Sequence, residues 1–251
     1  NVIKHHGLDR EVGLNLDVVG LANKDATTIA FNAGDVDMIV TDWIWTSRQR
    51  DAGADYTFVP YSVAAGSVMV HPNSGIDSLM DLEGKKIGVA GSPIDKSWLL
   101  LRAYSIKTFG KDIEKIVNPI YAAPPLLNEK FKQKEFDAVL NYWNYTARLR
   151  AAGMKELIKV QDLLPGLGVP GRLPLIGYVF GETWGRTNSD TLGRFFHASR
   201  KARQIMLQSD AEWERLRPLT KAESDSTLIA LRDGYRDGAP KKFDASQAQA
   251  I

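Results

Sequence analysis

Residues 35–45 read DVDMIVTDWIW and residues 135–145 read EFDAVLNYWNY, so two similar stretches lie 100 positions apart in this chain. Each stretch places an apolar, strand-like run directly before a cluster of aromatic residues. Trp43 of the first stretch corresponds to Trp143 of the second. The repeat predicts two similarly built parts, each with a strand that ends in an aromatic turn.

Strand-like and helix-like runs alternate through the first two thirds of the sequence, and this alternation predicts an α/β fold. Glycines end two of the helix-like runs, at Gly34 and at Gly110. From about residue 181 onward the spacing of apolar residues predicts helices only. The predicted strands are residues 14–19, 38–41, 57–61, 86–89, 116–121 and 136–141.

Composition excludes several classes of protein. The 251 residues exceed one ordinary core, so the length favours one large α/β domain or two lobes. The 32 basic and 30 acidic side chains are interleaved, which predicts no nucleic-acid partner. The absence of cysteine excludes disulfides, thiolate nucleophiles and Cys-ligated zinc within these residues.

Catalytic motifs are missing from the sequence. The four histidines do not form an HExxH pair, and neither a G-x-S-x-G elbow nor a GxxxxGK phosphate loop is present. No apolar run is long enough to cross a bilayer, and no basic-then-apolar leader opens the sequence. We therefore predict no catalytic residues, no metal site and no cofactor, and a protein that is not an enzyme.

The two aromatic turns are candidates for a ligand site. In open α/β sheets the ligand crevice lies beyond the carboxyl ends of the strands, which is where both turns fall. Two lobes would then present Trp43 and Trp143 to one cleft, and their rings suit an aromatic or cationic ligand. The alternative is that each tryptophan packs only against its own helix.

The turn GSP at residues 91–93 joins a predicted strand to a helix that begins near Asp95. A helix start offers amide donors and a positive dipole end to an anion, although Ser92 could instead only cap the helix. Asp95 and Asp42 would repel an anion unless they are neutralised, for Asp95 by Lys96 or Arg102 or by its own helix start. An oxyanion and a heteroaromatic or amine-bearing ligand both stay open.

Polar and small residues extend the predicted site. Asn141 can read polar edges of a ligand, because an amide both donates and accepts hydrogen bonds. Gly66 interrupts a strand run, which indicates a close approach to the backbone or a plain bulge. The predicted ligand-binding residues are Asp42, Trp43, Trp45, Gly66, Ser67, Ser92, Pro93, Asp95, Asn141, Tyr142, Trp143 and Tyr178.

The two stretches of the repeat, together with the phrase SLMDLEGKKIGVAGSP at residues 78–93 and the helix-only tail, resemble one family over nearly the whole chain. The chain is similar to the periplasmic solute-binding proteins for sulfonates, nitrate and taurine and to their thiamine-pyrimidine-binding relatives. The phrase DLxGKxIGV is typical of that superfamily and does not distinguish one ligand from another.

This resemblance implies a two-lobed type II binding-protein fold, in which each lobe is a mixed sheet flanked by helices and the ligand cleft lies between the lobes. Lobe one would comprise residues 1–70 and 178–251, and lobe two residues 71–177. Family members begin with a strand before the helix that ends in HHGLD, so the first strand of lobe one is expected to be missing here. Closure would occur by a hinge.

The implied function is the substrate-binding component of an ABC importer that captures an organosulfonate or a thiamine-precursor-like solute. Its partners would be that small molecule and a permease in the inner membrane, its location the periplasm, and its oligomeric state a monomer. The alternatives are an enzyme of the same fold that acts on a small heteroaromatic metabolite, and the effector-sensing domain of a transcription regulator.

Overall fold

A computed structural model of the protein describes residues 1–169 and 172–240. The strands are β1 (Met38–Asp42), β2 (Tyr56–Ser62), β3 (Ser67–Val70), β4 (Lys86–Ala90), β5 (Asn118–Ala122), β6 (Ala138–Asn141), β7 (Lys155–Lys159) and β8 (Ile176–Gly181). The helices are α1 (Val2–His5), α2 (Leu8–Glu11), α3 (Lys24–Ala33), α4 (Trp43–Asp51), α5 (Lys96–Phe109), α6 (Ile113–Ile116), α7 (Pro124–Lys132), α8 (Trp143–Ala151), α9 (Glu182–Thr187), α10 (Ser189–Gln208), α11 (Asp210–Thr220) and α12 (Asp225–Asp237).

The chain divides into two compact units. Unit 1 comprises Asn1–Tyr61 and Ile176–Thr220. Its sheet has the strand order β1-β8-β2, and β1 runs antiparallel to β8. Phe31 of α3 packs on this sheet, and a separate helical core joins α1 and α2 to α10 and α11.

Unit 2 comprises Ser62–Leu175 and the chain from Lys221 onward. Its sheet has the strand order β5-β4-β6-β3-β7. Strand β4 is parallel to β5 and β6, whereas β3 is antiparallel to β6 and β7, so this sheet is mixed. Leu127 and Phe131 of α7 pack against the sheet in one buried cluster with Val139 and Leu149.

Local sequence explains where α5 begins and ends. The side chain of Asp95 accepts a hydrogen bond from the amide of Ser97, so Asp95 is the N-cap. Gly110 follows the last turn with a φ of 69°, a left-handed conformation that glycine adopts without a steric cost. The helix turns Trp98 and Leu101 into the interior of unit 2, and both side chains are fully buried.

The predicted strand at residues 14–19 is wrong. Its side chains alternate between partly buried and exposed only from Leu14 to Asp17, Val18 and Val19 are both exposed, and no described strand pairs with the segment. The amides of Leu14 and Leu16 instead donate to Asp9, at 2.8 Å to its carbonyl and 3.2 Å to its side chain. Alternation predicts which face of a segment is buried, whereas a strand also needs a neighbouring strand with free backbone groups.

The helix-only pattern after residue 181 is confirmed through residue 240. The predicted lobes place β3 and α12 in lobe one, whereas both belong to unit 2, and the division into hinged lobes stays a prediction. Pro170 and Gly171 lie outside the described residues. Across the described ranges, no helix combines the length and the apolar character that a bilayer crossing requires.

Candidate functional site

In unit 1 the predicted site residues begin at the turn between β1 and α4. Asp42 is 4% exposed, and its Oδ1 accepts a hydrogen bond of 2.8 Å from the amide of Trp45, so Asp42 is the N-cap of α4. Its Oδ2 lies 2.6 Å from Nζ of Lys24. The carboxylate that would repel an anion is therefore engaged within its own unit by a helix start and an ammonium group.

The two tryptophans of this turn have different surroundings. The ring of Trp45 stacks on Tyr56, with centroids 5.8 Å apart and an interplanar angle of 15°, next to the cluster of Phe31 and Ile39. The indole N–H of Trp43 is buried and has no hydrogen-bond partner among the described residues. Trp45 is thus part of the packing of unit 1, while Trp43 holds a donor that nothing in the described chain satisfies.

Tyr178 lies on β8, where it pairs with Val40 of β1. Its hydroxyl is 2.7 Å from Oγ of Ser199, and its ring contacts those of Tyr61 and Phe195, each at a centroid distance of 5.1 Å. Burial, followed by the nearby Tyr61, raises the pKa of Tyr178 to about 12. The side chain is therefore neutral at physiological pH and packs between the sheet and α10.

In unit 2 the corresponding turn joins β6 to α8. Asn141 is 1% exposed, and its Nδ2 donates to the carbonyl of Pro124 at 3.0 Å and to Oδ1 of Asn128 at 2.9 Å. Its Oδ1 accepts from the amide of Tyr142 at 2.8 Å. Asn141 thus orients the turn rather than presenting a spare amide, since its polar atoms are engaged inside unit 2.

Gly66 is needed because the backbone of this turn passes next to it. Its φ is 110°, and a Cβ added there would lie 2.0 Å from the carbonyl oxygen of Asn141 and 2.9 Å from Cα of Tyr142. Ser67, the next residue, donates from Oγ to the carboxylate of Glu156. The close approach that the sequence indicated is thus made by the chain itself.

The GSP turn and α5 adjoin the β6–α8 turn. Oδ2 of Asp95 accepts a hydrogen bond of 2.9 Å from the hydroxyl of Tyr142, and Nζ of Lys96 lies 5.1 Å from the centroid of the same ring. A cation over an aromatic ring contributes about 0.5–2 kcal/mol, depending on its exposure to water. These contacts bring two predicted regions, which are far apart in the sequence, to one place in unit 2.

Ser92 does not cap α5, because Asp95 occupies the N-cap position and accepts a hydrogen bond from the amide of Ser97. Ser92 and Pro93 are exposed, and the carbonyl of Ser92 accepts the amide of Asp95 at 2.9 Å to close the turn. The expectation that Ser92 could be a helix cap is therefore wrong. A role in ligand contact stays a prediction.

Arg102 does not neutralise Asp95. Its guanidinium pairs with Asp112 at 2.8 Å and with Glu114 at 2.8 Å. Hydrogen bonds from Arg102 lower the pKa of Asp112, with a smaller contribution from the amide of Glu114. Of the groups suggested to neutralise Asp95, the structure supports its own helix start, through the amide of Ser97. The hydroxyl of Tyr142 is a further hydrogen-bond donor to this carboxylate.

Trp143 packs beside α12. Its ring centroid lies 6.4 Å from that of Tyr235, and a Cβ added at Gly234 would lie 3.3 Å from Cε3 of Trp143. Helix α12 therefore covers part of the indole within unit 2. Whether the rest of the ring lines a ligand cleft stays a prediction, as does the corresponding role of Trp43.

Two contributors to these turns were missed in the sequence, Lys24 and Asn128. Both lie on the helix that precedes the strand of their unit, where neither charge nor polarity distinguished them from surface residues. The repeat could have pointed to Lys24, because α3 begins at Lys24 and α7 at Pro124, 100 positions later. Asn128 is the counterpart of Thr28, and no signal in the sequence marked it. Among the described residues, no group of three or more His, Asp or Glu side chains is arranged to hold a metal ion.

Solved structures with the same fold include periplasmic binding proteins and an enzyme. The alkanesulfonate-binding protein SsuA of Xanthomonas axonopodis pv. citri, bound to MOPS, matches with a TM-score of 0.76 and 18% identity over 100% of this chain and 83% of that one. The periplasmic aliphatic sulphonate-binding protein SsuA of Escherichia coli matches with a TM-score of 0.78 and 20% identity over 99% and 79%. The desulfurization enzyme DszB matches with a TM-score of 0.62 and 13% identity over 99% and 85%.

The structure therefore has the α/β fold of the periplasmic binding proteins, with two sheets flanked by helices. The sequence comparison is more specific than the fold. Residues 2–212 match the model of the NMT1/THI5-like family, and the chain belongs to that family. Among curated proteins, none matches the chain significantly in sequence.

Proposed function

We propose that this protein is the substrate-binding component of an ABC importer and that it captures a small organic anion, with an organosulfonate as the leading class. Membership of the NMT1/THI5-like family and the fold shared with two sulfonate-binding proteins support the transport role. In this role the protein works as a monomer in the periplasm and delivers its ligand to a permease of the inner membrane.

The observation that carries the choice of an anion is the state of the two carboxylates at the candidate site. Asp42 is paired with Lys24, and Asp95 accepts hydrogen bonds from the amide of Ser97 and the hydroxyl of Tyr142. A cationic ligand would need such carboxylates as partners, whereas here each already has donors within its own unit. The aromatic residues of the two turns supply apolar surface for the organic part of the ligand.

Ligand screening by thermal unfolding and calorimetry tests this proposal. Ethanesulfonate, taurine, MOPS, nitrate, thiamine and its pyrimidine precursor form the panel, with sulfate as the inorganic anion control. We expect an organosulfonate to raise the melting temperature, because a ligand at about 100 times its Kd stabilises the folded state by about 2.7 kcal/mol. Preference for thiamine or its pyrimidine would contradict the anion class, and the absence of any binding would contradict the transport role.

The enzyme alternative rests on the similarity to DszB, whose fold this chain shares. Recovery of the bound ligand after overnight incubation distinguishes the two functions. A binding protein returns the ligand unchanged in a ratio of one per chain, and nuclear magnetic resonance of the extracted ligand measures this. Conversion of the ligand in amounts that exceed the protein would establish an enzyme instead.

A further inference from the structure

Lys96 is a buried cation that has no acidic partner in the described part of the chain. It is the first residue of α5 and is 7% exposed. Its ammonium group lies 5.1 Å from the centroid of the Tyr142 ring, and within residues 1–169 and 172–240 it forms neither an ion pair nor a hydrogen bond. Lysine is almost never buried to this extent unless it is paired.

The neighbouring carboxylate does not fill this role. Oδ1 of Asp95 accepts from the amide of Ser97, and Oδ2 accepts from the hydroxyl of Tyr142. Cations of unit 2 that are less deeply buried have carboxylate partners, among them Arg102 with Asp112 at 2.8 Å and Arg150 with Glu156 at 2.7 Å. Lys96 therefore differs from them in having an aromatic ring in place of an anion, and a ring compensates only part of the cost of burying a charge.

Two further features of the same helix turn favour a negative group. Ser97 is 2% exposed, and its hydroxyl is buried without a hydrogen-bond partner in the described part of the chain. The N-terminus of α5, a helix of 14 residues, carries the positive end of the helix dipole. An ammonium group, an unsatisfied hydroxyl and a helix start thus meet in the first turn of α5.

We propose that Lys96 is the specificity-determining residue for the charged end of the ligand, a sulfonate or carboxylate group on a small organic molecule. The ring of Tyr142 holds the ammonium group in place, and the ligand anion supplies the partner that the described residues do not. This inference rests on the proposed function. It adds the residue that distinguishes an anionic ligand from a neutral one of the same shape.

The test compares ethanesulfonate with ethyl methyl sulfone, a neutral molecule of nearly the same shape, on four proteins by calorimetry. These are the unchanged protein, Lys96→Met, Lys96→Arg and Lys130→Met. Lys130 pairs with Glu135 on the surface of unit 2, so its replacement removes the same net charge elsewhere. Circular dichroism and urea unfolding verify that each variant is folded, and Lys96→Gln replaces Lys96→Met in the comparison if the apolar variant does not fold.

We expect Lys96→Met to weaken ethanesulfonate binding on the order of 10- to 100-fold, the range of a hydrogen bond to a charged group, and to leave binding of the sulfone unchanged. Lys96→Arg should keep most of the preference for the anion, and Lys130→Met should keep all of it. The ratio of the two affinities is the decisive readout, because a merely structural lysine would not change it.

Three results would overturn the inference. If Lys96→Met keeps the preference for ethanesulfonate, another group recognises the anion. If it weakens both ligands equally, Lys96 only supports the fold of the site. In both cases the unchanged protein still binds ethanesulfonate and the proposed function stands, whereas the absence of binding by the unchanged protein would overturn the proposed function together with this inference.

Discussion

In unit 1 strand β1 ends at Asp42 and α4 begins at Trp43, while in unit 2 strand β6 ends at Asn141 and α8 begins at Trp143. Both helices are nine residues long, and each is followed after one residue by a glycine with a positive φ. The repeat in the sequence therefore specifies the same local construction twice. The repeat does not determine which contacts hold each turn in place.

The contacts at the two turns differ in chemistry. In unit 1 the first residue of α3, Lys24, forms an ion pair with Asp42. In unit 2 the first residue of α7, Pro124, accepts a hydrogen bond from the side chain of Asn141 through its carbonyl. The first residue of the preceding helix thus holds the strand end through an ion pair with Asp42 in unit 1 and through a neutral amide in unit 2, where Asn141 is the counterpart of Thr41 rather than of Asp42. A repeated strand–helix turn can therefore be held by a charge pair or by a neutral amide, and from adjacent positions of the strand.

Replacement of Gly66 by alanine has the largest expected effect, because it would break the turn of unit 2. The new Cβ would lie 2.0 Å from the carbonyl oxygen of Asn141 on a backbone with a φ of 110°. We expect a loss of about 3 kcal/mol or more in the free energy of unfolding, from the clash together with the backbone strain. Urea unfolding followed by circular dichroism measures the loss.

Gly75→Ala is the matched control for this prediction. Gly75 has a φ of 71°, but no atom lies within 4 Å of the added Cβ, so only the backbone strain of about 1–2 kcal/mol should appear. Equal losses for the two variants would show that the contact between Gly66 and the turn does not matter.

Substitutions at positions 41 and 141 sharpen the comparison, since these residues occupy equivalent places in β1 and β6. Asn141→Ala should cost about 2–4 kcal/mol, because it removes three hydrogen bonds and leaves buried polar groups without partners. Thr41→Val should be neutral or stabilise unit 1 by up to about 1 kcal/mol, since the hydroxyl of Thr41 is buried and has no partner among the described residues. Urea unfolding of both variants tests the contrast, and a large loss in Thr41→Val would reveal a partner for that hydroxyl.

Glu212 makes unit 1 sensitive to acid. Hydrogen bonds from Arg215, with a smaller contribution from His6, lower the pKa of Glu212 to about 2 against the opposing effect of burial. A depressed folded-state pKa stabilises the fold above the ordinary value of 4.5, and this contribution is lost as the pH falls from about 4.5 towards about 2. The slope from this one group is at most about 1.4 kcal/mol per pH unit.

Glu212→Gln should flatten the dependence of the unfolding free energy on pH between about 5 and 2. Glu214→Gln on the same helix is the control, because its carboxylate pairs with Arg217 at an exposed position. Urea midpoints at a series of pH values provide the measurement. An unchanged slope in Glu212→Gln would show that the pair with Arg215 is not formed in solution.

Much of the fold could be predicted from local patterns. The start of α5 after Asp95 and its end at Gly110 follow from a capping side chain and a left-handed glycine, both of which act within a few residues. Local patterns could not decide whether residues 14–19 form a strand, because a strand needs backbone hydrogen bonds to a neighbouring strand. Strand β7, with the charged sequence KELIK at the edge of its sheet, lacked the apolar alternation that marks half-buried strands.

The candidate site was predictable only in part. Sequence placed Asp42, Trp43 and Trp45 in one turn, and Asn141 to Trp143 in another, because neighbours in the chain share a turn. The hydrogen bond between Asp95 and Tyr142 spans 47 residues, and the ion pair between Lys24 and Asp42 spans 18. Such pairs form only when helices and strands pack, so no local pattern indicated them.

The sequence by itself determined the alternation of strands and helices, the repeated turn and the family, because periodicity, caps and motifs are properties of neighbouring residues. Only the tertiary structure decided that Trp45 stacks on Tyr56, that the carboxylates of Asp42 and Asp95 are engaged, and that Lys96 lies buried over the ring of Tyr142. Burial and charge pairing depend on which segments pack together, and that is set by the summed interactions of the whole unit rather than by any one stretch.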